Sequence, residues 1–80
     1  MKPIALITGA SSGIGKAIAR QIADDYQLII CGRRTSRLLR LSKELHDKTQ
    51  TLIGSFDVRD QSAVSNFIET LPNKWQNISE

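Results

Sequence analysis

The most constraining stretch of the chain is its opening, where Pro3-Ile4-Ala5-Leu6-Ile7-Thr8 runs directly into Gly9-Ala10-Ser11-Ser12-Gly13-Ile14-Gly15. The first segment is short, apolar and β-branched, the pattern of a strand buried on both faces, and it is expected to be a central strand. The glycines and serines that follow read as a turn. Beyond them Ile14, Ile18 and Ile22 recur every four residues with Ala17 beside them, which predicts a helix over about residues 13–24 with those side chains as its buried face.

The same alternation continues. Gln27 to Cys31 is a second apolar run, closed by Gly32. Ser36 then stands where an N-cap belongs, and Leu38, Leu41 and Leu45 with Leu39 predict the inner stripe of a second helix reaching about Lys48. Arg37, Arg40, Lys43, Glu44, Asp47 and Lys48 fall on its outer side, as a solvated face would. Thr51 to Asp57 reads as a third strand. Asp60 can cap a third helix, with Ala63, Val64, Phe67, Ile68 and Leu71 as the buried side and Pro72 as its stop. From Asn73 to Glu80 the chain is polar apart from Trp75 and Ile78.

Strand, helix, strand, helix, strand, helix in this spacing calls for an α/β fold with a parallel sheet and right-handed crossovers. In such folds it is one mononucleotide-binding half, with strand order 3-2-1. Eighty residues make one small domain at most. The net charge of +3 comes from scattered Lys and Arg, with one Trp and one Tyr available to stack on bases, so no nucleic-acid surface is expected. The run from Ile4 to Ile7 is too short for a signal sequence or a membrane span, and no membrane partner is expected. Cys31 is the only cysteine, which excludes an internal disulfide and any four-cysteine metal site, and fits a reducing, cytoplasmic setting.

A strand, a Gly9-x-x-x-Gly13-x-Gly15 turn and a helix together suit phosphate, because a helix begins with unpaired N–H groups and a partial positive charge. Gly9 can turn sharply off the strand, Gly13 lets a diphosphate approach the main chain, and Gly15 lets the helix pack closely on the sheet. Ser11 and Ser12 can add hydroxyl donors. Gly13-Ile14-Gly15-Lys16 looks like part of a Walker A loop, but the spacing fails. Five residues separate Gly9 from Gly15 where four are needed, and Ala17 stands where a Mg²⁺-binding hydroxyl belongs.

At the end of the second strand, where an NAD-binding chain places an acid for the ribose hydroxyls, the sequence has Cys31-Gly32-Arg33-Arg34. Two guanidiniums there would fork onto a 2′-phosphate, so NADP(H) is expected over NAD(H). Asp57-Val58 follows the third strand at the edge of the same crevice; Asp57 can accept from an adenine amino group and Val58 can cover the ring, or Asp57 simply caps a turn. Tyr26, His46 and Cys31 read as structural: Tyr26 is a strand-entry packing residue, His46 lacks partners at ligand spacing, and Cys31 ends an apolar strand.

Together Thr8 to Gly15, Gly32-Arg33-Arg34 and Asp57-Val58 resemble the N-terminal part of a short-chain dehydrogenase/reductase of the NADP-preferring kind. The Leu71-Pro72-x-x-Trp75 stretch is similar to that of its serine and 3-hydroxy acid dehydrogenase-like members. The resemblance implies a Rossmann-type doubly wound sheet, of which residues 1–80 supply the first βαβαβα half. It implies a cofactor site made of Gly9, Ala10, Ser11, Ser12, Gly13, Ile14 and Gly15, with Arg33 and Arg34 on the 2′-phosphate and Asp57 and Val58 on adenine. The family's Asn-Asn-Ala-Gly strand, its serine and its Tyr-x-x-x-Lys motif come after such a half, and none is found in these residues: Tyr26 is followed by Gln-Leu-Ile-Ile.

Two roles stay open at this point. One is the NADP(H)-binding segment of an oxidoreductase acting on an alcohol/carbonyl pair, truncated before its catalytic half and inactive alone. The other is a stand-alone or degenerate nucleotide-binding module. In either, a first strand without a neighbour on its far side invites self-association.

Overall fold

The computed structural model describes residues 2–76, so the last part of the tail, with Ile78, lies outside the described residues. Three strands, β1 (Ile4–Ile7), β2 (Gln27–Gly32) and β3 (Thr51–Ser55), alternate with three helices, α1 (Gly13–Ile22), α2 (Thr35–Leu45) and α3 (Gln61–Glu69), and a single 3₁₀ turn, Asn73–Trp75, follows. The sheet is parallel in the order β1-β2-β3, with Ile7 opposite Ile30 and Gly32 opposite Ser55. The central strand is therefore β2, and among the described residues β1 lies at an edge rather than in the middle.

Because strand side chains alternate between faces, the sheet builds two cores. On one face Ala5, Ile7, Leu28 and Ile30 meet Ala19 of α1, Ala23 at its C-terminal end and Leu38, Leu41 and Leu45 of α2, with Tyr26 packed at the margin. On the other, Ile4, Ile29 and Cys31 meet Leu71 and Trp75, flanked by Leu6, Leu52, Phe56 and Phe67. Helices thus cover both faces, and Trp75, in a tail that reads as polar, is a core residue.

The first helix is rolled relative to its sequence pattern. Its buried residues are Gly15 and Ala19, continued by Ala23, while Ile14 is 78% exposed and Ile18 44%. The short loop from β1 pulls the start of α1 hard against the turn, and only a row without bulky side chains permits that approach, so small residues displace the isoleucines from the interface. Ile22 is the one isoleucine of the expected face that packs against the core, and only in part.

In α2, Leu38, Leu41 and Leu45 are buried as expected, but Leu39 is 55% exposed, since it lies on the flank of that row. The helix starts earlier than the Ser36 cap implies, with Arg34 in the cap position and no side-chain capping bond, and it ends at Leu45. A fork from Arg20 to Glu44 ties α1 to α2 on the surface.

Asp60 caps α3, accepting from Ser62 N–H at 3.0 Å and Ala63 N–H at 3.2 Å. No residue of α3 is fully buried, and Ile68 is 40% exposed. The helix leans on the sheet mainly through Phe67, whose ring meets Phe56 at a centroid distance of 5.1 Å. That contact lies over Gly54, where a β-carbon would come within 2.8 Å of the Phe67 ring.

Candidate functional site

All three β-to-α connections leave the carboxyl ends of the strands on one side of the sheet, where open α/β sheets bind ligands. The first is held in a tight loop. Gly9 has φ +68°, a left-handed conformation that a side chain disfavours. Its carbonyl accepts from the Ser12 N–H at 3.0 Å and from the Ser12 hydroxyl at 2.7 Å. The same hydroxyl oxygen accepts from Gly15 N–H at 3.3 Å, so Ser12 is the N-cap of α1. The N–H groups of Gly13 and Ile14 come before the first intrahelical donor, Lys16, whose N–H bonds the Ser12 carbonyl at 3.0 Å, and so have no carbonyl partner within the helix.

The turn is registered on the second strand. Ala10, fully buried, donates its N–H to the Cys31 carbonyl at 2.9 Å. Ser11 lies so close to Gly32 that a β-carbon there would stand 2.8 Å from the Ser11 oxygen. The third connection is joined to the second by the Phe56 N–H, which donates to the Gly32 carbonyl at 2.9 Å. A hydroxyl pair between Thr35 and Ser55, at 2.6 Å, pins the start of α2 to the end of β3.

Between these loops runs a groove of about 470 Å³, lined from the first connection by Gly9, Ser11 and Ser12, from the second by Gly32, Arg33, Arg34 and Arg37, and from the third by Phe56, Asp57, Val58 and Arg59. Four guanidiniums face one carboxylate. The lining therefore carries a net charge of three positive, which suits an anion bearing more than one phosphate.

Asp57 is held by its own turn. Arg59 donates to Oδ1 from its backbone N–H at 2.9 Å and from Nε at 3.2 Å, and to Oδ2 from a terminal nitrogen at 3.0 Å. These bonds hold the carboxyl well below the usual carboxylate range, at about 2. Arg33 approaches the same Oδ2 at 3.9 Å, outside hydrogen-bond range. Cys31, fully buried in the core with Ile29, Leu71 and Trp75, does not line the groove, and burial pushes its thiol up to about 11.

Of the residues singled out from the sequence, Gly9, Ser11, Ser12, Arg33, Arg34, Asp57 and Val58 come together in the groove. Ala10, Gly13, Ile14 and Gly15 do not line it: Ala10 and Gly15 are buried beneath the turn, and Gly13 and Ile14 stand exposed at the helix start. A β-carbon on Gly13 would meet nothing within 4 Å, which leaves the main chain there open to a ligand. Arg37, Phe56 and Arg59 are additional. Arg37 lines the groove while staying exposed, as its reading on a solvated face implies, and its spacing three residues after Arg34 was the available signal.

A glycine turn capped by serine, opening onto a basic groove at the strand ends of a parallel sheet, defines the class of nucleotide-binding Rossmann-type α/β proteins. The family model of the short chain dehydrogenases matches residues 3–79, and the chain belongs to that family. It is 43% identical over 79 residues to sulfoacetaldehyde reductase 2 of Chromohalobacter salexigens, covering 98% of this chain and 31% of that protein. It is 40% identical over 76 residues to an NADP-dependent 3-hydroxy acid dehydrogenase of Escherichia coli (strain K12), covering 94% and 30%. Among solved structures, the closed form of serine dehydrogenase complexed with NADP+ superposes with a TM-score of 0.83 at 38% identity, over 94% of this chain and 30% of that one. The chain thus spans about a third of the length of these relatives.

Proposed function

We propose that the chain is the NADP(H)-binding segment of a short-chain oxidoreductase acting on an alcohol/carbonyl pair. The single observation that carries this is the meeting of the glycine turn with Arg33 and Arg34 in one groove. Gly13 and Ile14 present main-chain N–H groups to a diphosphate, with Gly9 and Gly15 shaping the turn and Ala10 fixing it to β2. Ser11 stands at the rim as a hydroxyl donor, whereas the Ser12 hydroxyl already gives its proton to the Gly9 carbonyl and Ser12 serves by holding the turn. Arg33 and Arg34 fork onto the 2′-phosphate, and Asp57 and Val58 receive the adenine edge and face.

Two of the relatives named above, the NADP-dependent 3-hydroxy acid dehydrogenase and the serine dehydrogenase complexed with NADP+, support the assignment through the cofactor they name. When bound, the cofactor supplies or accepts the hydride; these residues bind and orient its adenosine and diphosphate end. The groups that move a proton lie, in this assignment, outside residues 1–80, which form a partial dinucleotide-binding domain. No observation specific to the groove favours a degenerate module.

Two lesser elements belong to the same proposal. A reducing, cytoplasmic setting suits a chain whose one cysteine is buried and unpaired; no helix among the described residues is long and apolar enough to cross a membrane. Self-association through β1 follows from its edge position, because its outer N–H and C=O groups have no strand beside them among the described residues. Light scattering across a concentration series tests the latter, and a monodisperse monomer counts against it.

Calorimetric titration with NADPH and NADH tests the main proposal. The chain is expected to prefer NADPH, and Arg33→Ala and Arg34→Ala to reduce that preference by about ten- to a hundredfold, the worth of a charge-assisted hydrogen bond. Equal affinity for the two cofactors, unmoved by either substitution, would overturn it.

A further inference from the structure

Arg59 is a groove residue that the nucleotide contacts assigned above leave without a role. It is exposed and stands two residues after Asp57 in the turn before α3, yet three of its donors converge on one carboxylate. Arg33 faces the same Oδ2 from 3.9 Å, about 1 Å farther than a charge-assisted hydrogen bond allows. Two guanidiniums thus stand within reach of a single acid, and one of them has taken it.

A carboxylate offers a guanidinium the same forked geometry that a phosphate does. Asp57 is therefore a built-in competitor for any phosphate that Arg33 is to bind. A small swing of its carboxylate toward Arg33 would close a bidentate pair, and a ligand would then have to break that pair before binding.

We propose that Arg59 is a positioning residue that determines cofactor specificity: by clamping Asp57 it keeps the carboxylate off Arg33, whose donors stay free for a 2′-phosphate. This rests on the NADP(H) assignment above. The clamp acts through Arg33 and needs no contact between Arg59 and the ligand. It also fixes Asp57 in the groove without neutralising the arginine next to it.

The test is the ratio of NADPH to NADH affinity, measured by calorimetry in wild type, Arg59→Ala, Asp57→Asn/Arg59→Ala, Arg33→Ala and Arg33→Ala/Arg59→Ala. The clamp predicts that Arg59→Ala lowers the ratio about two- to fivefold, the scale of an exposed ion pair. Adding Asp57→Asn restores the ratio, because the competitor is gone. In the Arg33→Ala background, removing Arg59 leaves the ratio where it was.

An unchanged ratio in Arg59→Ala overturns the clamp, as does failure of Asp57→Asn to restore it. An equal drop with and without Arg33 shows that Arg59 touches the phosphate itself or acts by bulk charge, and also overturns it. Arg59→Lys, which keeps the charge without the fork, should give an intermediate ratio and serves if the alanine variant folds poorly. A wild type without preference would instead sink the NADP(H) assignment, and the clamp with it.

Discussion

A β-carbon on Gly15 would stand 2.2 Å from the carbonyl oxygen of Gly9, closer than any pair of unbonded atoms tolerates. Gly15, in the first turn of α1, and Gly9, in the loop after β1, are thus one steric unit, with Ser12 bonded to both. The obstructing atom is backbone, which cannot step aside like a flexible side chain. Gly15→Ala is expected to destabilise the chain by about 1–3 kcal/mol, the usual cost of overpacking. Urea denaturation followed by far-ultraviolet circular dichroism measures it; an unchanged midpoint would show that the turn relaxes freely.

Gly13 separates folding from binding. A β-carbon there meets nothing within 4 Å, and the residue is the first of a helix, where alanine is favoured over glycine. Gly13→Ala should therefore leave stability unchanged or raise it slightly. It should nevertheless weaken NADPH about tenfold or more, because the added methyl occupies the space through which a diphosphate reaches the main chain. Titration and denaturation of one preparation give both values, and full affinity would remove Gly13 from the diphosphate seat.

The thiol of Cys31 should be unreactive in the folded chain. It is fully buried and its pKa is pushed up to about 11, so almost no thiolate exists at pH 8. Labelling with a thiol reagent at that pH should proceed only on unfolding, with a rate that follows urea concentration. The linkage has a definite sign: the unfolded thiol ionises near 9 while the folded one keeps its proton to about 11. This contribution to stability is whole below pH 9 and is lost as pH climbs between those values.

Cofactor preference should titrate through the ligand rather than through Asp57. The carboxyl of Asp57, lowered to about 2 by its bonds to Arg59, is ionised at any pH above about 4, and the stabilisation from that ionisation is lost only as pH falls toward 2. A phosphomonoester takes up its second proton near pH 6. The NADPH to NADH affinity ratio is expected to fall several-fold between pH 7.5 and pH 5 in wild type and in Asp57→Asn alike. A pH step that vanishes in Asp57→Asn would contradict this.

Trp75, buried at 6% exposure against Leu71, Ile29 and Cys31, anchors the face that α3 covers only thinly. Trp75→Ala should cost about 3–5 kcal/mol, a large share of the roughly 4–12 kcal/mol that a chain of this size commands. Circular dichroism melting checks the loss, with Trp75→Phe expected to recover part of it. As the sole tryptophan, Trp75 should also show a red shift in emission when wild type unfolds.

How far the groove was legible follows from the chemistry of each residue. Gly9, Ser11, Ser12, Arg33, Arg34, Asp57 and Val58 stand directly after strands, and parallel strands bring their carboxyl ends to one side, so position along the chain implied position in space. Arg37 and Arg59 were harder to read, because surface arginines are common: the spacing of Arg37 three residues after Arg34 was the one local signal, and Arg59 had none. Trp75 was obscured by its polar neighbours Asn73, Lys74 and Gln76.

From the sequence alone came the order of the elements, the parallel pairing it requires, the family and the position of the glycine turn. Those rest on short-range facts: periodicity, glycine after the strand and the cap supplied by Asp60. The tertiary structure decided which face of α1 turns inward, favouring Gly15, Ala19 and Ala23 over the isoleucines, and which of two arginines holds Asp57. Hydrophobic spacing ranks faces by apolar content, whereas close packing ranks them by how near two backbones can come, and only coordinates in three dimensions contain that distance.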